Sequence, residues 1–315
     1  ETIFDNKAPI AHLIVVGAGR TGLELAQAHR RLGSQVTVID QGRAIADEDP
    51  ELSVILLARL AAEGIALRED TRIKRISGTV GRMLVEVDGA ESGNVETIEG
   101  TAVLIAAGRK ANVADLGLDT AGIKVNGKVI KTNDGLRTTN KRVFAIGDAA
   151  GRQRYAHIAG EHADVVLRRL LFRSSAKTTG RSAPRVMFTE PALASVGLSE
   201  AEARDKHGRV NVLRWPYHEN DRAQIEGKIE GHIKVVTTTR GQILGAAIVG
   251  AHAGELIQMW SLAISQRLNI KAMTEWISPY PTFSEINKRA AIRYFATLPS
   301  NPFLRKVIAL LAKLG

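Results

Sequence analysis

One short glycine-rich segment near the start of the chain constrains its fold more than any other feature. Residues 17–22 read Gly-Ala-Gly-Arg-Thr-Gly, and they follow a compact apolar run at residues 12–16. The segment at residues 21–32 then has the apolar spacing of an amphipathic helix, and a second β-branched run at residues 36–39 leads into Asp40. Strand, glycine turn, helix and strand within about 30 residues predict a βαβ unit.

The spacing of the three glycines predicts a turn that binds a pyrophosphate. Gly17 permits the tight turn, Gly19 leaves room for a phosphate to approach the backbone, and Gly22 allows the helix to pack on the strand. Arg20 and Thr21 lie in the same turn, where the first N–H groups of the helix and its positive dipole end attract an anion. A tight turn without a ligand is the alternative. The flanking strand and helix and the acidic residue that follows favour a dinucleotide site.

Asp40 is the acidic residue that such a site requires at the end of its second strand. It lies 18 residues after Gly22, where a carboxylate accepts hydrogen bonds from the ribose hydroxyls and repels a 2′-phosphate, which favours NAD(H). Arg43 lies close enough in sequence to pair with a 2′-phosphate, so NADP(H) stays open as well. The simpler interpretation of Asp40 is a surface turn residue.

The middle of the chain changes character several times. Helical spacing covers residues 50–64, and short apolar stretches between turn residues at 72–99 predict a small antiparallel meander. A buried strand is predicted at residues 103–107. Beyond it the chain is punctuated by Gly and Asn, with short strands predicted near 129–130 and 143–146.

The polar segment at residues 174–184 has the composition of a linker. Strands and helices continue on both sides of it, and those after it predict an α+β domain with an antiparallel sheet. The predicted strands are 210–214, 233–237 and 243–249, and the predicted helices are 161–172, 200–204, 254–266 and 303–314.

The charge balance and the missing cysteines narrow the classes of function. The chain carries 43 Lys and Arg against 33 Asp and Glu, a net charge of +10, but these charges are scattered, which favours a solvated surface over a nucleic-acid-binding patch. Because there is no cysteine, disulphides, thiolate metal sites and thiol nucleophiles are excluded within this chain, and no histidine spacing suggests a metal site. We expect a cytoplasmic protein with no nucleic-acid partner and no bound metal.

No membrane association is expected either. No apolar run approaches the ~18 residues that a membrane span needs. The apolar face of the predicted tail helix at residues 303–314 could lie on a membrane surface, but a helix that caps its own domain is the favoured interpretation.

Six segments, in order along the chain, resemble the pyridine nucleotide-disulphide oxidoreductase family, most of all its mercuric reductase and dihydrolipoamide dehydrogenase branches. The first resembles the family's nicotinamide-nucleotide fingerprint, the third its second flavin motif and the last its catalytic tail. Together they cover nearly the whole chain, which makes the set far more specific than any one match. The segments are residues 17–24, 106–109, 138–151, 188–200, 243–255 and 281–285.

This resemblance implies an α/β fold of three parts. Residues 1–110 would form a Rossmann-like NAD(P)-binding domain, residues 111–176 the C-terminal part of an FAD-binding domain, and residues 177–315 an α+β dimerisation domain with an antiparallel sheet. The implied activity is hydride transfer from NAD(P)H to FAD and on to an unidentified acceptor, either a small molecule or a metal ion. The implied assembly is a homodimer.

The resemblance also implies roles for individual residues. Glu24 would lie near the nicotinamide and the flavin, and Ile73 and Gly108 would contact NAD. Asp148, which follows Gly147, would hydrogen-bond the ribityl chain of the flavin. The chemistry agrees because a carboxylate accepts bonds from sugar-like hydroxyls, although a Gly-Asp turn is the simpler alternative. The residues that would pass beside the flavin dinucleotide are Arg154, Tyr155, Ala156 and His157.

Tyr280 and Glu285, together with Glu24, are the implied catalytic residues, but Tyr280 departs from the family pattern. Disulphide reductases of this family have a histidine there, which Glu285 would orient as a general base for a thiol. An imidazole titrates near pH 6.5 and takes that proton, whereas a phenol titrates near pH 10 and does not do so readily at neutral pH. Tyr280 therefore puts dithiol chemistry in doubt, and a packing role for Tyr280 in an interface is the alternative.

A second departure is that the chain has only one glycine fingerprint and no cysteine pair. The family carries another fingerprint and a redox-active cysteine pair in its N-terminal half, and this chain begins with Glu1 rather than Met. We therefore expect a chain that lacks the FAD-binding front half and that alone does not retain FAD or activity. A non-enzymatic, dimeric NAD-binding module is the alternative function.

Overall fold

A computed structural model describes residues 2–79, 81–89, 94–151, 154–178, 183–296 and 302–312. The chain forms two compact units. The first combines Glu1–Ala107 with Pro184–Gly315, and the second is Gly108–Ala183.

A four-stranded parallel sheet forms the nucleotide-type part of the first unit. Its two central strands, β1 and β2, are β-branched runs that are largely buried, as parallel strands covered by helices are, and the predicted βαβ unit is confirmed. The strand predicted at residues 103–107 is present as β7, but it is half-buried rather than buried because it lies at the edge of the sheet. The strand order is β3-β2-β1-β7. The elements are β1 (His12–Val16), α1 (Arg20–Arg31), β2 (Gln35–Ile39), α2 (Pro50–Ala62), β3 (Ile65–Arg68) and β7 (Ala102–Ile105).

The predicted antiparallel meander is also present. It consists of β4 (Ile73–Thr79), β5 (Arg82–Asp88) and β6 (Val95–Gly100), paired in that order. Val85 and Val87 of β5 are buried against Ile14 and Ile39 of the parallel sheet. This contact explains the alternation of apolar and polar residues in β5, because only one face of the meander is covered.

The second part of the first unit is a five-stranded antiparallel sheet of order β10-β11-β14-β13-β12, which confirms the predicted α+β architecture. Its interior contains the fully buried Trp260, whose indole N–H donates to Asn287 Oδ1 at 2.8 Å. The strands are β10 (Arg185–Met187), β11 (Ala192–Gly197), β12 (Val210–Pro216), β13 (His232–Thr238) and β14 (Ile243–Gly250). The helices are α4 (Glu200–His207), α5 (Asp221–Ile225), α6 (Ala253–Ser265), α7 (Ala272–Glu275), α8 (Glu285–Ile292) and α9 (Pro302–Leu311).

The two sheets of the first unit share one hydrophobic core. Met187 and Leu193 of the antiparallel sheet are buried in the same cluster as Leu23 of α1 and Leu52 of α2. Burial of this apolar surface holds the two sheets together. No helix in the described ranges has both the length and the apolar character needed to cross a bilayer.

The second unit contains β8 (Val125–Asn126), β9 (Val129–Ile130), a short 3-10 helix (Gly147–Ala150) and α3 (Ala156–Leu171). The prediction of a strand at residues 143–146 is wrong. Only Phe144 forms a β-bridge, to Arg137, because the Val143 N–H bonds to the Asn140 carbonyl and closes a turn instead.

Four predicted helix starts were also late. Helix α3 begins at Ala156 rather than at residue 161, and α1, α6 and α9 each begin one residue earlier than predicted. The predicted last residues of the tail helix, 313 and 314, lie outside the described residues.

Candidate nucleotide-binding site

Two of the three fingerprint glycines are required by close packing. Gly17 has a φ of +106°, and a Cβ there would lie 2.8 Å from the Ala106 carbonyl oxygen. A Cβ on Gly22 would lie 1.9 Å from the Gly17 carbonyl oxygen. A side chain at Gly17 would therefore clash with the backbone that follows β7, and one at Gly22 would push helix α1 away from the carboxyl end of β1.

Gly19 differs from these two because a Cβ there would have no described atom within 4 Å. It is the N-cap residue of α1, and no side chain in the described residues caps the helix. The first N–H groups of a helix have no partner within the helix, and together with the dipole they favour an anion. The start of α1 therefore has both open space at Gly19 and backbone N–H donors, and Thr21 is exposed there.

The carboxylate of Asp40 is anchored beside this turn. Its Oδ2 accepts the Ala18 N–H at 2.7 Å and its Oδ1 accepts the Gly42 N–H at 2.9 Å. Asp40 follows β2 directly and is half-buried. It is thus a turn residue, as the simpler interpretation expected, and it also fixes two carboxylate oxygens next to the glycine turn, where they have lone pairs left for hydroxyl donors.

Two acidic residues at the end of β3, which the sequence reasoning missed, lie beside Asp40. The Thr71 N–H donates to the Asp40 carbonyl at 2.8 Å, and the Asp70 N–H donates to the Gly42 carbonyl at 3.2 Å. The parallel pairing of β2 with β3 therefore brings Glu69 and Asp70 to the Asp40 turn. No sequence signal pointed to them, because no strand was predicted at residues 65–68, where the structure has β3.

Arg20 offers its backbone rather than its side chain to the start of α1. Its guanidinium is bound to Asp47 at 2.8 Å and to Glu48. The Glu48 side chain is buried and also accepts the Ser195 hydroxyl at 3.1 Å. This pairing was not predicted, and it ties the glycine turn to strand β11.

Glu24 and Ile73 both make contacts within the first unit. Glu24 Oε1 accepts the Phe188 N–H at 2.7 Å. Burial raises the pKa of Glu24 above its usual value, against the lowering effects of the Phe188 N–H and of Arg20. Ile73 is partly buried in the cluster that joins the meander to the parallel sheet.

In the second unit, Gly108 has a φ of +82° and no described atom within 4 Å of a Cβ. Gly147 has a φ of +58°, and its close approach is to α3, since a Cβ would lie 3.2 Å from Ala159 Cβ. Asp148 is half-buried, and its carboxylate makes no hydrogen bond or ion pair with the described residues. The Tyr155 and His157 rings stack with centroids 5.2 Å apart, on either side of Ala156, the first residue of α3.

Tyr280 and Glu285 have different partners in the structure. The Tyr280 hydroxyl donates to Asp221 Oδ2 at 2.7 Å, whereas Glu285 pairs with Arg289 at 2.7 Å. The hydrogen bond to Asp221 raises the pKa of Tyr280 above its usual value. Asp221 was not predicted, because an acidic residue at the start of a five-residue helix gives no sequence signal for a partner 59 residues away.

Potential metal ligands do not cluster in the described residues: no group of three or more His, Cys, Asp or Glu side chains could hold an ion.

Comparison with known proteins matches both parts of the chain to one family. The family profile described as pyridine nucleotide-disulphide oxidoreductase matches residues 1–163, and the profile of its dimerisation domain matches residues 183–291. The family predicted from the six motifs is thereby confirmed.

Two curated relatives show how much of a longer protein the chain resembles. It is 33% identical over 285 residues to dihydrolipoyl dehydrogenase 3 of Pseudomonas aeruginosa, which covers 89% of this chain and 60% of the relative. It is 32% identical over 287 residues to mercuric reductase of Staphylococcus aureus, which covers 90% of this chain and 52% of the relative. The chain thus spans between about half and three fifths of their length.

Solved structures agree on the fold. LpdA from Mycobacterium tuberculosis matches with a TM-score of 0.86 and 26% identity, over 92% of this chain and 63% of that protein. The flavoprotein disulphide reductase RclA from Escherichia coli, as its Cu(II) complex, matches with a TM-score of 0.84 and 24% identity, over 92% of this chain and 65% of that protein.

Proposed function

Because the chain belongs to the pyridine nucleotide-disulphide oxidoreductase family, whose members are FAD-dependent oxidoreductases, we propose that it binds NAD(P)H at the glycine turn. In the whole protein this nucleotide would deliver hydride to FAD, and the electrons would pass on to an acceptor. We assign residues 1–110 to the NAD(P)-binding domain, 111–176 to the C-terminal part of an FAD-binding domain and 177–315 to the dimerisation domain.

The observation that carries this proposal is the arrangement around Gly19. Gly22 brings α1 against the end of β1, Gly17 lets the turn pack against the end of β7, and Gly19 leaves the start of α1 open. Backbone N–H groups at a helix start bind a pyrophosphate without any side chain. The Asp40 carboxylate, anchored 2.7 Å from the Ala18 nitrogen, stands where a ribose next to that pyrophosphate would offer its hydroxyls.

The residues of the second unit fit an FAD. Asp148 is half-buried, and its carboxylate has no hydrogen-bond or ion-pair partner among the described residues, so its oxygens are available to accept hydrogen bonds from a ligand or from water. Hydroxyl donors of a ribityl chain would satisfy it. When bound, the flavin accepts the hydride and supplies the redox chemistry; the residues assigned to position it are Gly147, Asp148, Tyr155, Ala156 and His157.

Tyr280 would serve as a proton donor rather than as a base. A phenol titrates near pH 10, and its hydrogen bond to Asp221 raises the pKa of Tyr280 further, so the hydroxyl keeps its proton at neutral pH. A dithiol acceptor needs a base of much lower pKa. We therefore propose a small-molecule or metal-ion acceptor other than a dithiol, with Tyr280 and Glu285 offered to the flavin of a second subunit in a homodimer.

Replacement of Gly19 by Ala tests the nucleotide site. The added methyl group meets no described atom of the protein, but it would occupy the approach of the pyrophosphate. We expect the dissociation constant for NADH, measured by titration calorimetry, to rise by about tenfold or more, with only the small loss of thermal stability that an N-cap change brings.

Gly160→Ala is the matched control. Gly160 also has no atom within 4 Å of a Cβ and no positive φ, but it lies inside α3. Its replacement should leave NADH affinity unchanged. Equal affinities of the unaltered chain and the Gly19→Ala variant for NADH, or no binding of NADH to the unaltered chain, would refute the proposed site.

A further inference from the structure

The side chains around the Asp40 turn form a small cluster that is dominated by acids. Arg43 pairs with Glu69 Oε2 and with Asp70 Oδ2, each at 3.4 Å. Glu69 is the more enclosed of the two acids, since 25% of its side chain is exposed against 64% for Asp70. Two carboxylates therefore pair with the Arg43 guanidinium, while Asp40 binds the backbone of the same turn. The four side chains together carry a net charge of −2.

Glu69 binds both the backbone of the loop that carries Arg43 and the Arg43 guanidinium. Its Oε1 accepts the Ala44 N–H at 2.7 Å, while its Oε2 faces Arg43. One carboxylate therefore accepts a backbone N–H and pairs with a cation, both from the loop after β2. The Asp70 N–H bond to the Gly42 carbonyl keeps the two loops together.

A 2′-phosphate on the adenosine ribose would need hydrogen-bond donors that are already bound within this cluster. Phosphate recognition requires guanidinium or backbone N–H donors that are free to turn to it, and a like charge placed beside a phosphate weakens binding. Here Asp40 holds the Ala18 and Gly42 N–H groups, and Glu69 holds the Ala44 N–H.

Resting on the nucleotide site proposed above, we propose that Glu69 and Asp70 determine nucleotide specificity by retaining Arg43, so that the site takes a dinucleotide with a free 2′-hydroxyl, NAD(H), and rejects NADP(H). Asp40 alone would disfavour the 2′-phosphate. Glu69 and Asp70 add a second effect, because they hold the Arg43 guanidinium that could otherwise compensate for Asp40.

Titration of the 315-residue chain with NADH and with NADPH provides the first test. We expect NADH to bind about tenfold or more tightly than NADPH. Equal binding, or tighter binding of NADPH, overturns the specificity proposal while leaving the nucleotide site intact. Failure of both nucleotides to bind refutes the nucleotide site itself, so the two failures are distinguishable.

Glu69→Gln tests the proposed role of Glu69 in nucleotide specificity. A glutamine still accepts the Ala44 N–H but loses the charge that holds Arg43. We expect NADPH affinity to rise by about two- to fivefold, the range for an exposed ion pair, and NADH affinity to stay within about twofold. Adding Arg43→Gln should abolish the gain, because the released guanidinium is its cause; a gain that survives the second change overturns the proposal.

Asp70→Asn and Glu99→Gln complete the set. Asp70 has a φ of +49°, a conformation that asparagine tolerates, so this variant removes a charge without backbone strain and should also raise NADPH affinity. Glu99 forms an equally exposed pair with Arg82 at 3.0 Å on the meander, and Glu99→Gln should change neither affinity. If it raises NADPH affinity as much as Glu69→Gln does, net charge rather than Arg43 explains the effect and the proposal is wrong.

Discussion

The hydroxyl of Tyr280 is held by a residue that no motif places near it. Asp221 accepts the hydrogen bond at 2.7 Å, and Glu285, the residue that would orient a histidine in this position, pairs with Arg289 instead. A carboxylate that accepts from a phenol stabilises its protonated form, and the negative charge opposes phenolate formation. Both effects act in the same direction, so Tyr280 is kept as a hydrogen-bond donor.

Asp221→Asn should therefore lower the pKa of Tyr280 towards the usual phenol value. The alkaline tyrosinate absorbance of the unaltered chain, minus that of Tyr280→Phe, isolates Tyr280 from the other three tyrosines. We expect this difference curve to move to lower pH in an Asp221→Asn background.

An Asp205→Asn variant is the matched control for that titration, because Asp205 is an exposed acid on α4, away from Tyr280 in sequence. It should leave the titration unchanged. An unmoved curve for Asp221→Asn would mean that the hydrogen bond does not control the protonation of Tyr280.

At the scale of elements, the start of α2 is joined to the antiparallel sheet by a buried lysine. Lys234 on β13 has only 6% of its side chain exposed, and its Nζ lies 2.8 Å from Asp49, 3.0 Å from Glu51 and 2.9 Å from Glu200. Asp49 caps α2, and Glu200 is the first residue of α4. One ammonium group therefore compensates acids from two helices.

Lys234→Met should destabilise the first unit, because methionine fills the space but leaves the buried Asp49 carboxylate without the cation it pairs with, whereas Glu51 and Glu200 keep Arg214. We expect the free energy of unfolding, from urea titration at neutral pH, to fall by about 3 kcal/mol. The control is Lys271→Met, whose partner Glu275 lies at 3.7 Å on the surface; it should cost less than about 0.5 kcal/mol. Equal losses of unfolding free energy for the two changes would show that the buried cluster stabilises the first unit no more than a surface ion pair does.

Elements with a clear period were predictable from the sequence, and those without one were not. The β-branched runs of β1 and β2 and the glycine turn between them define the parallel sheet through local spacing alone. The start of α3 carries no such signal, since its N-cap Tyr155 provides no side-chain cap and its first turns contain small residues and Gly160. The strand expected at residues 143–146 failed because a turn at Asn140 uses the backbone donor that a strand would need.

The site was predictable to the same extent. The tight packing at Gly17 and Gly22 and the open space at Gly19 were predictable from spacing within six residues. The positions of Glu69 and Asp221 depend on which strand pairs with which and on how a loop returns to the sheet. Such contacts join residues far apart in sequence, and a single sequence without structure does not reveal them.

At the scale of the whole molecule, the shared core makes the two sheets of the first unit depend on each other. Met187 and Leu193 of the antiparallel sheet are buried together with Leu23 and Leu52 of the nucleotide-type part. Glu48 adds a buried polar link between the glycine turn and β11. We expect the two parts to unfold in one cooperative step, as parts with a common core do.

The tryptophans provide a probe of this coupling, because all three, Trp215, Trp260 and Trp276, lie in the antiparallel part, whereas the proposed nucleotide site lies in residues 1–107. A ligand that binds only the folded state at 100 times its dissociation constant stabilises that state by about 2.7 kcal/mol. For a unit of this size, such a gain raises the midpoint of thermal unfolding by roughly 5–10 °C. NADH should therefore raise the midpoint of the tryptophan transition itself, although it binds in the other part, and the Gly19→Ala variant should show no comparable rise at the same NADH concentration. If NADH binds but the tryptophan transition stays where it was, the two sheets unfold independently, and the buried contacts of Met187 and Leu193 do not couple them.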